Sequence, residues 1–382
     1  MIDIQKMIEL ITMKQEDIVK MFFNERNSKA STIKNYGMAF KYYTKYNGMS
    51  MQELLDEADR EDEKGIRWKR SSLKRRLIDF RTYIYEEVST STAKLYFNCI
   101  RTFYRHFEIE MQSLPYMKSE SNGNVIKHDD IPTRREIGEA YGYASPLLKA
   151  VILFISSSGC ARTETLNLTV GDFMKATDEF SNREDILDRC MELQEVEDAI
   201  PIWEVHRQKT DKEYFTFCST EALQEICKYL LTRKDKLTED SKLFKIYYQY
   251  LNRKFNQLNK LLGDESCGAW SKFRPHTLRK FNASALINAE NGFTIEEVDA
   301  IQGRSKDMTH RTYFLEDPAK LREKYRSCMG AVTILSDVTA SEYQDMKNEK
   351  EMLESKISEQ EEKLRKMMEE MEKISNILNV AE

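Results

Sequence analysis

Residues 275–313 read PHTLRKFNASALINAENGFTIEEVDAIQGRSKDMTHRTY, and the chain is best understood outward from this stretch. Pro275 to Ala289 has the pattern of a helix, on which His276 and Arg279 are three apart and share one face. Thr294 and Glu297 have capping-box spacing and open a second helix running to Gln302. Gly292 and Gly303 are placed to end the two helices. Arg304 follows Gly303 directly, and Tyr313 stands nine residues further on. Upstream, Ile200 to Arg207 and Glu213 to Cys218 alternate like strands, with Gln208 to Lys212 as the turn between them and Lys209 at its tip. Leu147 to Ser157 is a strongly apolar helix. The Ser158-Gly159 turn follows it, and Arg162 opens the next helix. Further helices are expected over Thr220 to Thr232 and Tyr247 to Leu262.

These residue types suit one chemistry. A phosphodiester cut without metal gathers negative charge on its two non-bridging oxygens, and two arginines supply fixed, planar, bidentate donors for them. A tyrosine can attack phosphorus and hold it as a phosphotyrosine, which conserves the bond energy for rejoining. A lysine on a hairpin can protonate the departing 5′-oxygen, and a histidine can assist proton transfer. Singly the signals are weak. Nineteen tyrosines are present, Arg162 has Glu164 as a local partner, and Lys212 is an alternative to Lys209. The ordered set carries the argument.

In order and spacing, Ser158-Gly-Cys-Ala-Arg162-Thr-Glu164, Lys209-Thr210, His276-Thr-Leu-Arg279, Gly303-Arg304 and Thr312-Tyr313-Phe314 resemble the catalytic domain of the tyrosine recombinase, or phage integrase, family. The resemblance spans about residues 130 to 335. The strand Tyr214-Phe-Thr-Phe-Cys218 and the stretch Asp317-Pro-Ala-Lys-Leu321 look most like archaeal members. Two positions depart from the family pattern. The family's first arginine falls two residues after the glycine, where this chain has Ala161, so Arg162, one place later, is assigned the role. The family's His or Trp after the second glycine is Arg304 here, which can hold a phosphate oxygen but cannot act as acid or base. His310 is a partial substitute.

Residues 1–117 read as helical, without proline until Pro115 and with little glycine. Ser31 is placed to cap a helix over Thr32 to Tyr46, with Ile33, Phe40 and Tyr43 inward. A second helix, Thr92 to Phe107, has Leu95, Cys99, Phe103 and Phe107 on one face and Tyr96, Ile100 and Tyr104 beside them. Met1 to Lys20 looks like an amphipathic helix and not a signal peptide. Residues 118–132 are polar and turn-rich and form the expected linker, ahead of a domain over 133–335. Arg67, Lys69, Arg70, Lys74, Arg75, Arg76 and Arg81 form a basic run, read equally well as phosphate contacts or a solvated helix face. Arg274 and Lys280 flank the H-x-x-R helix and are further candidate DNA contacts.

Residues 338–380 carry a heptad. Tyr343, Lys350, Ile357, Leu364, Met371 and Leu378 form one seam, and Met346, Leu353, Gln360, Met367 and Ile374 the other, so a coiled coil is expected. The formal net charge of -5 equals that of residues 338–382, so the rest of the chain is balanced and gives no veto on nucleic acid. The seven scattered cysteines form no C-x-x-C pair and read as reduced, mostly buried thiols of a cytoplasmic protein. No apolar run is long enough for a membrane span.

The expectation is a mainly α fold with a small β-hairpin: a helical N-terminal domain, a mixed α+β catalytic domain and a C-terminal coiled coil. The resemblance implies a helical core-binding domain that clamps the duplex with the catalytic domain. It further implies site-specific recombination of double-stranded DNA through a 3′-phosphotyrosyl intermediate on Tyr313. Arg162 and Arg279 would clamp the phosphate, His276 and Arg304 support them, and Lys209 acts as general acid. No metal or ATP is implied. The partners would be double-stranded DNA, three further copies in a tetrameric synapse, and a coiled-coil partner through 338–380. The setting would be nucleoid-associated. The alternative is a non-enzymatic DNA-binding or architectural protein on the same scaffold.

Overall fold

The computed structural model describes residues 17–116, 128–208, 211–263, 266–267, 270–304 and 317–335. The chain is mainly helical and divides into two compact units, Met1–Val125 and Ile126–Glu382.

The first unit holds α1 (Asp17–Glu25), α2 (Ala30–Asn47), α3 (Met51–Glu63), α4 (Ser72–Glu87) and α5 (Thr90–His106). Its helices form because aromatic residues recur at three- and four-residue spacing and meet in one core. Phe40 packs edge-on against Phe22 and Phe103, with centroids 5.9 and 5.2 Å apart. Tyr43 and Tyr104 are fully buried and partner each other through their hydroxyls at 3.1 Å. Burial pushes both phenols above their ordinary range. A Ser50–Glu53 capping box opens α3.

Two local expectations shift here. The backbone is already helical at Ala30, so Lys29 holds the cap position and Ser31 lies exposed inside α2. On α5, Leu95 is 43% exposed, while Ala93, Phe97, Ile100 and Tyr104 turn inward beside Cys99 and Phe103. The buried stripe is rotated toward Phe97, because a helix buries the face that meets its neighbours and not every apolar position.

The second unit contains α6 (Arg134–Gly142), α7 (Pro146–Ser158), α8 (Arg162–Asn167), α9 (Val170–Thr177) and α10 (Ile186–Gln194). Next come β1 (Ile202–Arg207), β2 (Lys212–Phe217), α11 (Thr220–Leu231), α12 (Tyr248–Leu261), β3 (Ser266–Cys267) and β4 (Trp270–Ser271). The described part ends with α13 (Pro275–Asn288), α14 (Ile295–Ile301) and α15 (Pro318–Cys328). Helix α7 is buried continuously from Ala150 to Ser158 and packs against α11 and α13. An all-round apolar surface suits a helix enclosed by others. β1 and β2 pair antiparallel from Ile202 opposite Phe217 to Arg207 opposite Lys212, which forms the expected hairpin. Trp203 of β1 packs on Phe154 at 5.1 Å and donates its indole N–H to Cys218 Sγ at 3.2 Å.

Thr294 and Glu297 form the expected capping box of α14. Gly292 plays a different part from the one expected. Asn291 takes the left-handed conformation, φ 54°. Gly292 is needed for space, since a Cβ there would stand 2.4 Å from the Leu286 carbonyl oxygen. Cys99, Cys160, Cys190, Cys218, Cys227 and Cys328 are free and buried. Among the described residues no helix is long and apolar enough to cross a membrane. The heptad segment lies outside the described residues.

Candidate active site

The site begins where α7 ends. Gly159 turns the chain with φ +65°, and a Cβ on it would come within 2.5 Å of Asn282 Oδ1 and Gln302 Nε2. Glycine is therefore required both for the left-handed turn and for the close approach of two side chains. Helix α8 starts just beyond. Its third residue, Glu164, folds back to accept the Ala161 N–H at 2.8 Å.

Glu164 is the hub. It is 6% exposed, accepts the Tyr214 hydroxyl at 2.8 Å, and faces two guanidiniums: Arg207 Nε at 3.5 Å and Arg279 Nη1 at 3.6 Å. A carboxylate this deep needs such partners, since an uncompensated buried charge costs several kcal/mol. Arg279 in turn donates Nη1 to the Gly159 carbonyl at 2.7 Å and Nη2 to the Gln302 carbonyl at 2.6 Å. Arg207 donates Nη1 to the next carbonyl, that of Gly303. The two arginines thus share one carboxylate and occupy consecutive carbonyls.

A second layer locks these groups. Gln302 is fully buried and donates to Asn282 Oδ1 at 2.8 Å, while Asn282 donates to the Ser156 and Ser157 carbonyls at 3.1 and 2.6 Å. Tyr325 of α15 donates its hydroxyl to the Ser157 carbonyl at 2.9 Å. Gly303, φ +58°, lies flat on the Tyr214 ring, where a Cβ would stand 2.4 Å from Cδ1.

Arg304 is ion-paired with Asp299 at 3.2 Å. Burial, and then the nearby charge of Arg279, lower its pKa, with Arg207 acting in the same direction against the opposing effect of Asp299. His276 stands at the start of α13 with part of its surface open to solvent. Partial burial holds its pKa below the usual value, reinforced by the positive charges of Lys280, Arg274, Arg279 and Arg304. His276 is therefore neutral at pH 7, in an electropositive field.

Arg162 takes a different direction. It donates to Asn252 Oδ1 at 2.6 Å and to the Tyr248 hydroxyl at 2.5 Å, and its guanidinium rests 3.8 Å from the Tyr248 ring centroid. Its Nε is buried without a partner. The local partner expected for it, Glu164, is taken by Arg207 and Arg279.

Arg279, Arg304 and His276 are therefore brought to one electropositive region, while Arg162 is held on α12. Lys209, Tyr313 and His310 lie outside the described residues. Lys212 stands opposite Arg207 in the hairpin. Arg274 lies over the Trp270 ring at 5.1 Å, and Lys280 is half-buried.

In the first unit, Arg67, Lys69, Arg70 and Arg75 are exposed and Lys74 is half-buried. Arg76 is engaged by Glu57 and donates to Asn47 Oδ1 at 2.9 Å. Arg81 donates to the Pro115 carbonyl at 2.9 Å. Among the described residues no group of three or more His, Cys, Asp or Glu side chains is arranged to hold a metal ion.

Arg207 and Tyr214 were passed over in the sequence because alternation made them strand residues and nothing more. The available signal was their position flanking the turn that carries Lys209. Asn282 and Gln302 gave none, since neither belongs to a motif.

No family model and no curated protein matches the chain. Among solved structures, it is similar to the XerH site-specific recombinase bound to palindromic difH substrate in a post-cleavage complex. That match has a TM-score of 0.49 and 16% identity over 78% of this chain and 80% of that one. A lambda integrase tetramer bound to a Holliday junction gives a TM-score of 0.43 and 14% identity over 80% of this chain and 86% of that one. XerA recombinase gives 0.33 and 16% over 81% and 95%. At these scores, the reading of the site rests on its own residues.

Proposed function

We propose that the protein is a site-specific DNA recombinase that cuts and rejoins double-stranded DNA through Tyr313. In this reading the Tyr313 oxygen forms a bond to phosphorus as the bond from phosphorus to the 5′-oxygen breaks. The phenolic proton leaves to a neutral base, for which His276 is suited, and Lys209 gives a proton to the departing 5′-oxygen. The intermediate is a 3′-phosphotyrosine, and rejoining is the same exchange reversed by an incoming 5′-hydroxyl. The working assembly is four copies on two duplexes, with the 338–380 heptads adding self-association.

One observation carries this reading. Buried hydrogen bonds hold Arg279 to Gly159 and Gln302, which ties together the segments of the S-G, H-x-x-R and G-R motifs, far apart in the chain. Arg304 and His276 stand close enough to feel the charge of Arg279. An excess of fixed positive charge with few reorganising parts is what an incipient phosphorane dianion requires. The rival reading, a DNA-binding protein without chemistry, is favoured by the diversion of Arg162 onto Tyr248.

A pool of randomly nicked duplexes with randomised centres separates the two. Cleavage near a nick releases a short 5′-hydroxyl fragment and traps a detergent-resistant protein–DNA adduct. Wild type is expected to form the adduct and Tyr313→Phe to form none. An adduct that persists in Tyr313→Phe would falsify the assignment, and its absence from wild type leaves the architectural reading.

A further inference from the structure

Arg207 is unassigned in the reading above, and its surroundings differ sharply from those of Arg162. Both are arginines near Glu164 in space or in sequence, but only Arg207 contacts that carboxylate. Its Nη1 binds the Gly303 carbonyl, next to the Gln302 carbonyl that holds Arg279 Nη2. Its charge also reaches Arg304, whose pKa is lowered partly by Arg207 and Arg279 together. Arg207, Arg279 and Arg304 thus form a cluster of three guanidiniums in contact with two carboxylates, Glu164 and Asp299. Three positive charges against two negative leave an excess of one positive charge, which a bound anion would balance.

The helix-opening position in line with Gly159 and Glu164 is Ala161, which has no side-chain donor. Arg162 sits one residue on, which on a helix is a rotation of about 100°, and it faces α12 instead.

We infer that Arg207, from strand β1, replaces the helix-opening arginine as the second guanidinium on the scissile phosphate, with Arg279 as the first. This role for Arg207 rests on the recombinase reading and fixes which side chain performs one of its steps. The arginine's origin has moved from a helix start to a strand. The fixed relation to the other arginine is supplied by the shared Glu164 carboxylate and by the consecutive Gln302 and Gly303 carbonyls. Arg207 keeps 19% of its side-chain surface exposed, against 9% for Arg279, so it is the more accessible of the pair. It also precedes Lys209 by two residues in the same hairpin. Arg162 is a stacking residue of the α8–α12 contact and is dispensable for the chemical step.

The test uses the full-length protein and a nicked duplex recovered from the randomised pool, with adduct formation timed. Removing one donor to a developing oxyanion costs about 10²–10³ in rate. Arg207→Lys, which keeps a charge but loses the planar fork, is expected to slow adduct formation by about that factor, with the circular dichroism spectrum and DNA affinity preserved. Arg162→Ala is expected to stay within about tenfold of wild type.

A second substrate separates contact with phosphate from a purely structural role. It carries a methyl group in place of one non-bridging oxygen at the scissile position, which removes the charge that Arg207 neutralises. On it, the deficit of Arg207→Ala relative to wild type shrinks at least tenfold. Equal deficits on both substrates mean that Arg207 acts only through folding, and overturn the inference. So does an Arg207→Lys protein that reacts at the wild-type rate, or an Arg162→Ala defect larger than that of Arg207→Ala. Those results leave the recombinase reading standing, provided that wild type forms an adduct dependent on Tyr313. Failure of wild type to form one overturns both.

Discussion

The two units bury polar groups in opposite ways. In Met1–Val125 the interior is aromatic, and among the described residues Ser71 is its one buried polar side chain apart from tyrosines. In Ile126–Glu382, Glu164, Arg279, Asn282 and Gln302 are buried together and spend their hydrogen bonds on one another and on the turns at Gly159 and Gly303. Apolar burial is non-directional and rewards any close-packed arrangement. A satisfied polar network permits one geometry and is costly when incomplete. The first unit is built for stability alone at its core, whereas the second accepts the cost of buried charge where three loop segments must keep fixed positions.

The largest expected effect tests that cost. Glu164→Gln removes the carboxylate shared by Arg207 and Arg279 and leaves two guanidiniums without their counter-ion. Breaking a buried pair from one side costs about 3–5 kcal/mol. Amide hydrogen exchange followed by mass spectrometry is expected to accelerate in α7, α13 and α14 and to stay unchanged in α2 and α5. Unchanged protection of α13 would mean that the network is not what holds the second unit's turns.

A smaller effect is expected from the matching experiment in the first unit. Tyr43→Phe leaves the buried Tyr104 hydroxyl without its 3.1 Å partner, which costs about 1–3 kcal/mol. The double variant Tyr43→Phe with Tyr104→Phe removes both hydroxyls and is expected to recover most of that loss in denaturant melts. A core that tolerates deletion of its polar pair is apolar in character. A double variant no more stable than the single one contradicts this.

The contrast also explains what could be read in advance. The hairpin, the apolar α7 helix and the Thr294–Glu297 box are local patterns, set by residues within a few positions of one another, and they were legible. The cap at Ser31 and the inward face at Leu95 were misjudged because neighbouring helices decide where a helix starts and which stripe it buries. The ordered motifs pointed to Arg279, His276 and Arg304. The partners of Glu164 were not legible, because Arg207 lies 43 residues away in sequence and reaches Glu164 only through the fold. Local spacing favoured Arg162, and the aromatic face of α12, which captures it, carries no motif.

The smallest effect concerns protonation and sharpens the contrast to one side chain. The folded protein holds His276 below the unfolded value of about 6.5. Above pH 6.5 the ring is neutral in both states and its contribution to stability is fully present. As pH falls from 6.5 toward the lowered folded value, the unfolded chain takes up a proton that the folded one refuses, so this contribution is progressively lost. Partial burial is the first cause and the cationic neighbours follow, so Arg304→Ala is expected to raise the His276 titration midpoint without returning it fully to 6.5. Ring proton shifts followed by NMR across pH 5–8, assigned by comparison with His276→Gln, measure both midpoints. A midpoint unmoved by Arg304→Ala would show that burial and the charges of Lys280, Arg274 and Arg279 set the shift without Arg304. The positive field proposed to receive the phosphate would then have to come from Arg207 and Arg279 without Arg304.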